Sequence, residues 1–426
     1  MEVFSKMILM GTSLAAGMVL GLPGCAEVEL AQAESVAGSS QALPQVLLTE
    51  PARLAEAKAR VEAGDPALQP ALDALVELAE DAMGLPMISV ADKPMAPPSG
   101  NKNDYVSLSP YWWPNPDTED GLPYVRRDGE INPERFEYDV NKLGDFGTAV
   151  RWLGFGYYFT GDERYAEEAV KRINHFLIDP ETAMTPRMQY GQFVPGVNNG
   201  RKFGIIETLR LRWVPDAIAV LEGSDAMTDE VMAGAKKWFG DYAVWLNTSE
   251  FGVAERDGAN NHGTWGEAQI AYFSAFAGDW DTVKAMAERV PSRIAKQFEP
   301  DGGQPEELKR TRALDYTEFN LRGMTELAVL AERVGVDLWS YSTDDGRSIR
   351  QGFAFALPYF AQEKEWPYKQ IAPPQKKHDT YVQSLRRASI AYDDPRFEEV
   401  IATLDGLTGK GLIYRDLLIP LHADAE

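Results

Sequence analysis

From about residue 47 onward, apolar positions recur every three or four residues, the spacing of α-helices rather than the alternation of strands. Pro51 to Met83 holds two amphipathic stretches divided near Gly64-Asp65-Pro66, and Ala71, Leu72, Leu75, Leu78 and Ala79 fall on one face of the second. The same pattern predicts helices near 143–159, 163–177, 204–222, 228–246, 264–276, 280–298, 312–334, 349–361, 378–392 and 395–405. Three junctions resemble one another: Gly161-Asp162, Gly278-Asp279 and Asp393-Asp394-Pro395 each stand between two helical stretches. In the first two, Gly suits the end of one helix and Asp caps the next. Repeated helical hairpins point to a toroid or a solenoid. The repeats are too diverged for a clean period, so a ring of hairpins is preferred.

One segment breaks this pattern. Pro94 to Pro133 is rich in Pro, Gly, Asn, Asp and aromatic residues, among them Tyr105, Tyr111, Trp112, Trp113 and Tyr124. A loop of that length inside a compact domain is more often functional than idle. It reads as the wall of a binding cleft; a structural wrap that plugs the end of a helical barrel is the alternative.

The N-terminus reads as an export signal. Lys6 precedes an apolar run from Met7 to Leu22, too short for a membrane span, closed by Leu22-Pro23-Gly24-Cys25. This predicts a lipoprotein signal over 1–25 with Cys25 lipidated, a tether over 26–45 and one domain over 46–426. An ordinary signal peptide cut after Ala31-Gln32-Ala33 is the competing reading. Either way the mature protein is expected to be exported, periplasmic or anchored to the outer membrane through its lipid. Cys25 is the only cysteine, so no internal disulfide can form.

Composition narrows the partners. The net charge of -23 argues against nucleic acid, whose phosphates need a basic surface. A polyanionic sugar remains compatible if basic residues gather in one groove, because a local field decides what binds. Lys102, Arg126, Arg127, Arg201, Lys202 and Arg310 are the candidates for that groove. There is no His-x-x-x-His pair, cysteine cluster or dense carboxylate loop, so neither a metal nor another cofactor is expected.

The densest chemistry lies in Asn260-Asn261-His262-Gly263-Thr264-Trp265 and in Arg310-Thr311-Arg312-Ala313-Leu314-Asp315-Tyr316. Histidine occurs only at 175, 262, 378 and 422, and His262 stands in the most polar of the helix starts. Carboxamides, an imidazole, guanidinium groups and a phenol supply what β-elimination from a uronic acid needs. A carboxylate must be neutralised, an activated C–H must lose its proton, and the leaving oxygen must gain one. Tyr is a poor base at its reference pKa near ~10, and a nearby Arg310 or Arg312 would favour the phenolate. Spacing alone leaves the two arginines equal, and leaves Tyr316 or His262 as the base. It also leaves plainer roles open: His262 at a helix start, Tyr316 as a core phenol, Arg312 as a partner of Asp315 or Glu318.

The run from Lys102 to Pro133, the Asn261-His262-Gly263 segment and the segment from Glu307 to Tyr316 together resemble the alginate lyase superfamily of helical toroid polysaccharide lyases. The likeness spans roughly 80–340 and rests on the combination. It implies an all-α fold, an (α/α)6–7 toroid built as an incomplete barrel of hairpins, with a groove crossing it. It implies that Tyr316 acts as base and acid while Asn261, His262 and Arg310 neutralise the carboxylate, Glu306 or Glu307 orienting Arg310. Lys102, Tyr105, Trp112, Trp113, Arg126, Asn198, Asn199, Arg201 and Arg312 would then bind substrate. In the alginate lyases of this family the Arg precedes the Tyr by seven residues. Here Lys309 holds that place and Arg310 lies six before, the spacing of a branch that includes glucuronan-acting enzymes. The expected partner is an acidic polysaccharide, alginate or glucuronan, met by a monomer. Two other classes compete: a toroid glycoside hydrolase using two carboxylates, and a non-catalytic glycan-binding lipoprotein.

Overall fold

The computed structural model describes residues 43–371, 378–404 and 406–422. The expected signal segment, Cys25, most of the 26–45 tether and the side chain of His378 lie outside them. About 59% of the chain is helical, in an α-helical toroid. The inner layer is formed by Val140–Thr160, Asn261–Ala277, Ala313–Glu332 and His378–Tyr392. Gln69–Met83, Glu163–Ile173, Asp229–Thr248, Trp280–Gln297, Ile349–Phe360 and Arg396–Thr403 pack outside them. Gly409–Leu412 and the π-helical turn Ile413–Leu418 return to Gln69–Met83 and close the ring, with Tyr414 tilted against Trp152 and Trp213.

The two layers differ as their sequences require. Outer helix Glu163–Ile173 buries Tyr165, Ala166, Ala169, Arg172 and Ile173, one stripe at helical spacing. Inner helix Asn261–Ala277 buries every residue from Gly263 to Phe276, because neighbours cover it on all sides. Its Gly266 lets the backbone of Arg256 approach; a Cβ there would stand 2.9 Å from the Arg256 Cα.

Polar residues inside the ring pair with one another. Arg212 donates to Glu326 and to Gln383 (2.9 Å), and Arg387 reaches Glu326 (3.5 Å) and the Leu48 carbonyl (3.2 Å). The chain enters the domain through Val46, Leu47 and Leu48, all buried, and the amides of Leu47 and Leu48 each donate at 2.9 Å to the Asp216 carboxylate.

The expected helix over 204–222 is broken. A 3-10 run, Lys202–Leu211, gives way to the short helix Val214–Ala219, and Trp213 between them has φ 68°. Pro215 suits the first turn of the new helix, and the buried Trp213 is held in the left-handed region by its packing. Short helices at Glu250–Arg256 and Pro305–Leu308, too brief to show a period, join the expected ones. In the long loop, Trp112–Trp113 pairs antiparallel with Val125–Arg126, and Val106–Leu108 pairs parallel with Tyr190–Phe193. This loop lies over the N-terminal ends of two inner helices, Asn261–Ala277 and Ala313–Glu332, and forms one wall of a cavity.

Candidate active site

The cavity has a volume of about 530 Å³ and is lined by Tyr111, Trp112, Arg126, Arg201, Phe203, Arg210, Asn261, His262, Arg310 and Tyr316, among others. Helix geometry delivers the Asn–His pair. Asn260 is the N-cap, its Oδ1 accepting from the His262 amide at 3.2 Å, so Asn261 and His262 occupy the first turn. The buried Glu307 accepts from the Asn261 amide and from Asn261 Nδ2, both at 2.6 Å. Burial raises the Glu307 carboxyl above its ordinary range, although the two Asn261 bonds oppose it. Asn261 Nδ2 gives one of its two N–H groups to Glu307, and its Oδ1 is buried without a partner. Oδ1 can accept a hydrogen bond from a protonated carboxyl, and the second N–H of Nδ2 is the group that can donate to a carboxylate.

His262 gives Nδ1 to Oε1 of Glu255, and Phe203 meets its ring edge-on at 4.9 Å. Its Nε2 has no protein partner among the described residues and is the ring atom free for a ligand.

On the opposing segment, Arg310 Nη2 donates to the Tyr316 hydroxyl at 2.8 Å, and the guanidinium stands 3.8 Å from the Tyr316 ring centroid. Asp128, from the long loop, holds the same nitrogen at 3.3 Å and Thr311 Oγ1 at 3.2 Å. Burial works against the Asp128 charge, but Arg310 and Arg126 hold its carboxyl below the usual range. The Tyr111 hydroxyl lies 3.1 Å from that of Tyr316. Burial, and then Tyr111, push the Tyr316 phenol well above its ordinary value, and Arg310 opposes without cancelling them. The expected net lowering by arginine is therefore reversed in the ligand-free site: desolvation of a phenolate outweighs one guanidinium.

Arg201 supplies a second cation. Its Nη2 donates to Ser109 Oγ (2.5 Å) and Gln192 Oε1 (2.9 Å), its guanidinium lies 5.0 Å from the Phe203 ring, and no carboxylate pairs with it among the described residues. Burial and the neighbouring Arg126 bring it down to about 10, so it remains charged at neutral pH. Such cations, set among Trp112, Phe203 and Phe319, give an anion-attracting pocket inside an acidic protein.

These features can be set beside known proteins. Residues 89–366, more than half of the chain, match the family profile described as alginate lyase. The chain belongs to the alginate lyase family. It is a polysaccharide lyase. Its fold matches the crystal structure of an alginate lyase from Bacteroides ovatus at 38% identity, covering 88% of this chain and 100% of that one, with a TM-score of 0.83. Alginate lyase A1-III from Sphingomonas species A1 is more distant, at 16% identity, covering 80% of this chain and 90% of that one, with a TM-score of 0.47. No curated protein matches the chain.

Within this alginate lyase family chain, the expected site residues divide into two groups. Asn261, His262, Arg310, Tyr316, Trp112, Arg126 and Arg201 line one cavity. Tyr105 does not: it is fully buried and donates to Glu207 at 2.8 Å, because a phenol in the core needs an acceptor. Trp113 lies outside the lining, its Nε1 bound to the Glu130 carbonyl and its ring under Arg127. Lys102 is exposed away from the cavity, and Lys202 is drawn to the Ala254 carbonyl. Asn198 accepts from the Val194 and Gly200 amides and so builds a turn, with Asn199 exposed beside it. Arg312 stands at the N-cap of Ala313–Glu332 and donates to the Gly129 carbonyl, so Arg310 is the arginine beside Tyr316. Glu307 holds Asn261 directly, while the carboxylate on Arg310 is Asp128. Sequence reasoning missed Tyr111 and Glu255 as site residues. Tyr111 adjoins the Trp pair already singled out, whereas nothing local marked Glu255.

Proposed function

We propose that this lyase cleaves a β-1,4-linked polyuronate, alginate or glucuronan, by β-elimination with Tyr316 as both base and acid. The observation that carries the reading is the Tyr316 hydroxyl, bonded to Arg310 and Tyr111 on the cavity that also holds Asn261 and His262. Tyr316 takes the C5 proton as phenolate. The C–H electrons form the C4–C5 double bond, the C4–O4 bond breaks, and the proton passes from Tyr316 to O4. His262 Nε2 and Arg310 stabilise the enolate-like charge on the carboxyl group as it develops, and Asn261 Oδ1 accepts from that group when it carries a proton. One oxygen serving both steps requires C5–H and O4 on the same side of the sugar, the arrangement in mannuronate and glucuronate and not in guluronate. The phenolate must form before the C5 proton is taken, and the Arg310 guanidinium, 2.8 Å from the hydroxyl, is the cation that favours it.

Incubation with polymannuronate, polyguluronate, mixed alginate and glucuronan, followed by near-ultraviolet absorbance of the unsaturated product, tests this. Turnover of polymannuronate or glucuronan above polyguluronate is expected; a clear preference for polyguluronate would reassign the base to His262. We further infer export with lipidation at Cys25, checked by radiolabelled palmitate in the wild type and its loss in Cys25→Ser.

A further inference from the structure

Arg201 is a cation on the cavity wall that the protein leaves without a counter-charge in contact. Its Nη2 gives both N–H groups away, to Ser109 Oγ (2.5 Å) and to Gln192 Oε1 (2.9 Å), and both acceptors are neutral. Its Nε is buried without a partner, and its Nη1 has no protein acceptor among the described residues. A buried guanidinium is usually answered by a carboxylate, and one is near: Glu207 lines the same cavity, and its charge acts on Arg201. Gln192 stands between the two. Its Oε1 faces Arg201, and its Nε2 donates to Glu207 Oε1 at 3.4 Å. The reverse orientation of the amide would set its NH2 against the guanidinium and its carbonyl against the carboxylate, so the network fixes which way it points.

The backbone holds Gln192 at that position. Its φ is 51°, in the left-handed region, which a residue with a side chain keeps only where its surroundings impose it. The neighbouring Gly191 packs directly on Gly204: a Cβ on Gly204 would stand 2.5 Å from the Gly191 carbonyl carbon. The Arg201 amide donates to the Gly191 carbonyl at 3.1 Å, so Gln192 and Arg201 belong to one clamp. The Gln192 amide donates to Ser107 Oγ at 2.8 Å, and the Ser107 hydroxyl donates in turn to Glu207. Glu207 also accepts from Arg135 (2.5 Å) and Tyr105 (2.8 Å), so its charge is answered without Arg201.

We propose that Gln192 is a positioning residue, a neutral spacer that orients Arg201 and holds Glu207 off it, so that the guanidinium is left to bind a carboxylate of the substrate. This rests on the polyuronate reading above. A primary amide can accept from a guanidinium and donate to a carboxylate at once. A carboxylate in its place would pair with Arg201 and cancel the charge, and an apolar side chain would leave Arg201 without its second acceptor. The sugar that meets Arg201 must then carry its carboxylate, and a neutral sugar at that position loses the contact.

The test is a double-mutant cycle on the full chain, read as KM, kcat and the salt dependence of KM on a cleaved polyuronate. Gln192→Glu, nearly equal in size, brings a carboxylate to Arg201. Its KM should rise about tenfold or more, the lower end for a lost contact with a charged group, while kcat stays within a few-fold. With one cation cancelled, KM should also climb less steeply with salt than in the wild type. Arg201→Gln should raise KM comparably, and Gln192→Glu added to it should raise KM by less than about threefold more, because the group through which Gln192 acts is gone. Gln192→Met, which removes the acceptor and adds no charge, should cost less than Gln192→Glu. If Gln192→Glu does not fold, Ser109→Asp offers a carboxylate to the same Nη2 and takes its place in the cycle. A Gln192→Glu KM within about twofold of wild type would overturn the proposal, as would a loss confined to kcat, equal losses in the Glu and Met variants, or full additivity with Arg201→Gln. Affinity electrophoresis in gels containing polymannuronate or glucuronan reads binding without cleavage. Retardation of the wild type but not of Gln192→Glu supports the spacer even where no unsaturated product forms, and then only the elimination fails. A wild type retarded by neither polymer overturns both readings.

Discussion

Replacing Tyr316 by Phe is the sharpest perturbation of the proposed chemistry. It removes one oxygen, and with it the 2.8 Å bond from Arg310 and the 3.1 Å contact with Tyr111. The ring stays, with Arg310 stacked at 3.8 Å, and Arg310 keeps Asp128. Loss of a hydrogen bond to a charged group costs about 1.5–3 kcal/mol of stability, so Tm should move by only a few degrees in a domain of this size. Loss of a general acid–base group costs about 10²- to 10⁴-fold in rate, roughly 3–5 kcal/mol in the barrier. The two scales separate a catalytic role from a structural one. The assay is the initial rate of near-ultraviolet absorbance increase over a range of polyuronate concentrations. Because Arg310 and His262 still face the carboxylate, KM should stay within a few-fold and kcat should carry the loss. A Tyr316→Phe enzyme with more than a tenth of wild-type kcat would refute the assignment. Inactive Tyr316→Phe with a Tm lowered by ten degrees or more would point instead to a damaged fold.

Three further outcomes follow from the geometry. Arg310→Lys keeps the charge but loses the planar face over Tyr316 and the Nη2 set between Tyr316 and Asp128; kcat/KM should fall by at least about tenfold with both kcat and KM affected, since Lys is a poor substitute at a stacked site. Because Tyr316 is held protonated in the free enzyme, kcat/KM should rise with pH through the neutral range, and a maximum on the acid side would contradict a phenolate base. That rise should be cut off by unfolding: burial pushes the Tyr105, Tyr242 and Tyr272 phenols up, so the stability they contribute is intact below about pH 10 and declines above it, as melting curves across that range will reveal. Tyr105→Phe should lower stability by about 1.5–3 kcal/mol, the worth of a hydrogen bond to a charged acceptor, while leaving KM unchanged; a raised KM would return Tyr105 to the substrate.

The outer helices were legible because one face of each meets solvent, and the stripe on Glu163–Ile173 is an example. Asn261 and His262 were legible because polar residues at a helix start are unusual company for a buried helix. What escaped were contacts made by chain segments far apart. Tyr111 and Tyr316 are separated by 205 positions, Asp128 and Arg310 by 182. Glu255 is only seven positions from His262, but the helix ends at Arg256 and a new one begins at Asn261, so no periodicity links them. Asn198 and Tyr105 show the converse: polar and aromatic residues of the kinds that bind sugars were used to build a turn and to satisfy a buried carboxylate. Residue type identifies what a position can do, and only packing decides whether it faces a ligand.

The charged cluster of Arg212, Glu326, Gln383 and Arg387 also determines how a polymer can travel. Glu326 lies ten residues along the same helix from Tyr316, about 15 Å deeper at 1.5 Å per residue. Together with the buried Trp213 it stops the ring like a cork, so the toroid is a well and not a tunnel. A sugar chain enters and leaves by the same mouth, with no far exit to pull it onward. Among the described residues nothing threads a chain through the ring, so the fold itself supplies no built-in direction of travel.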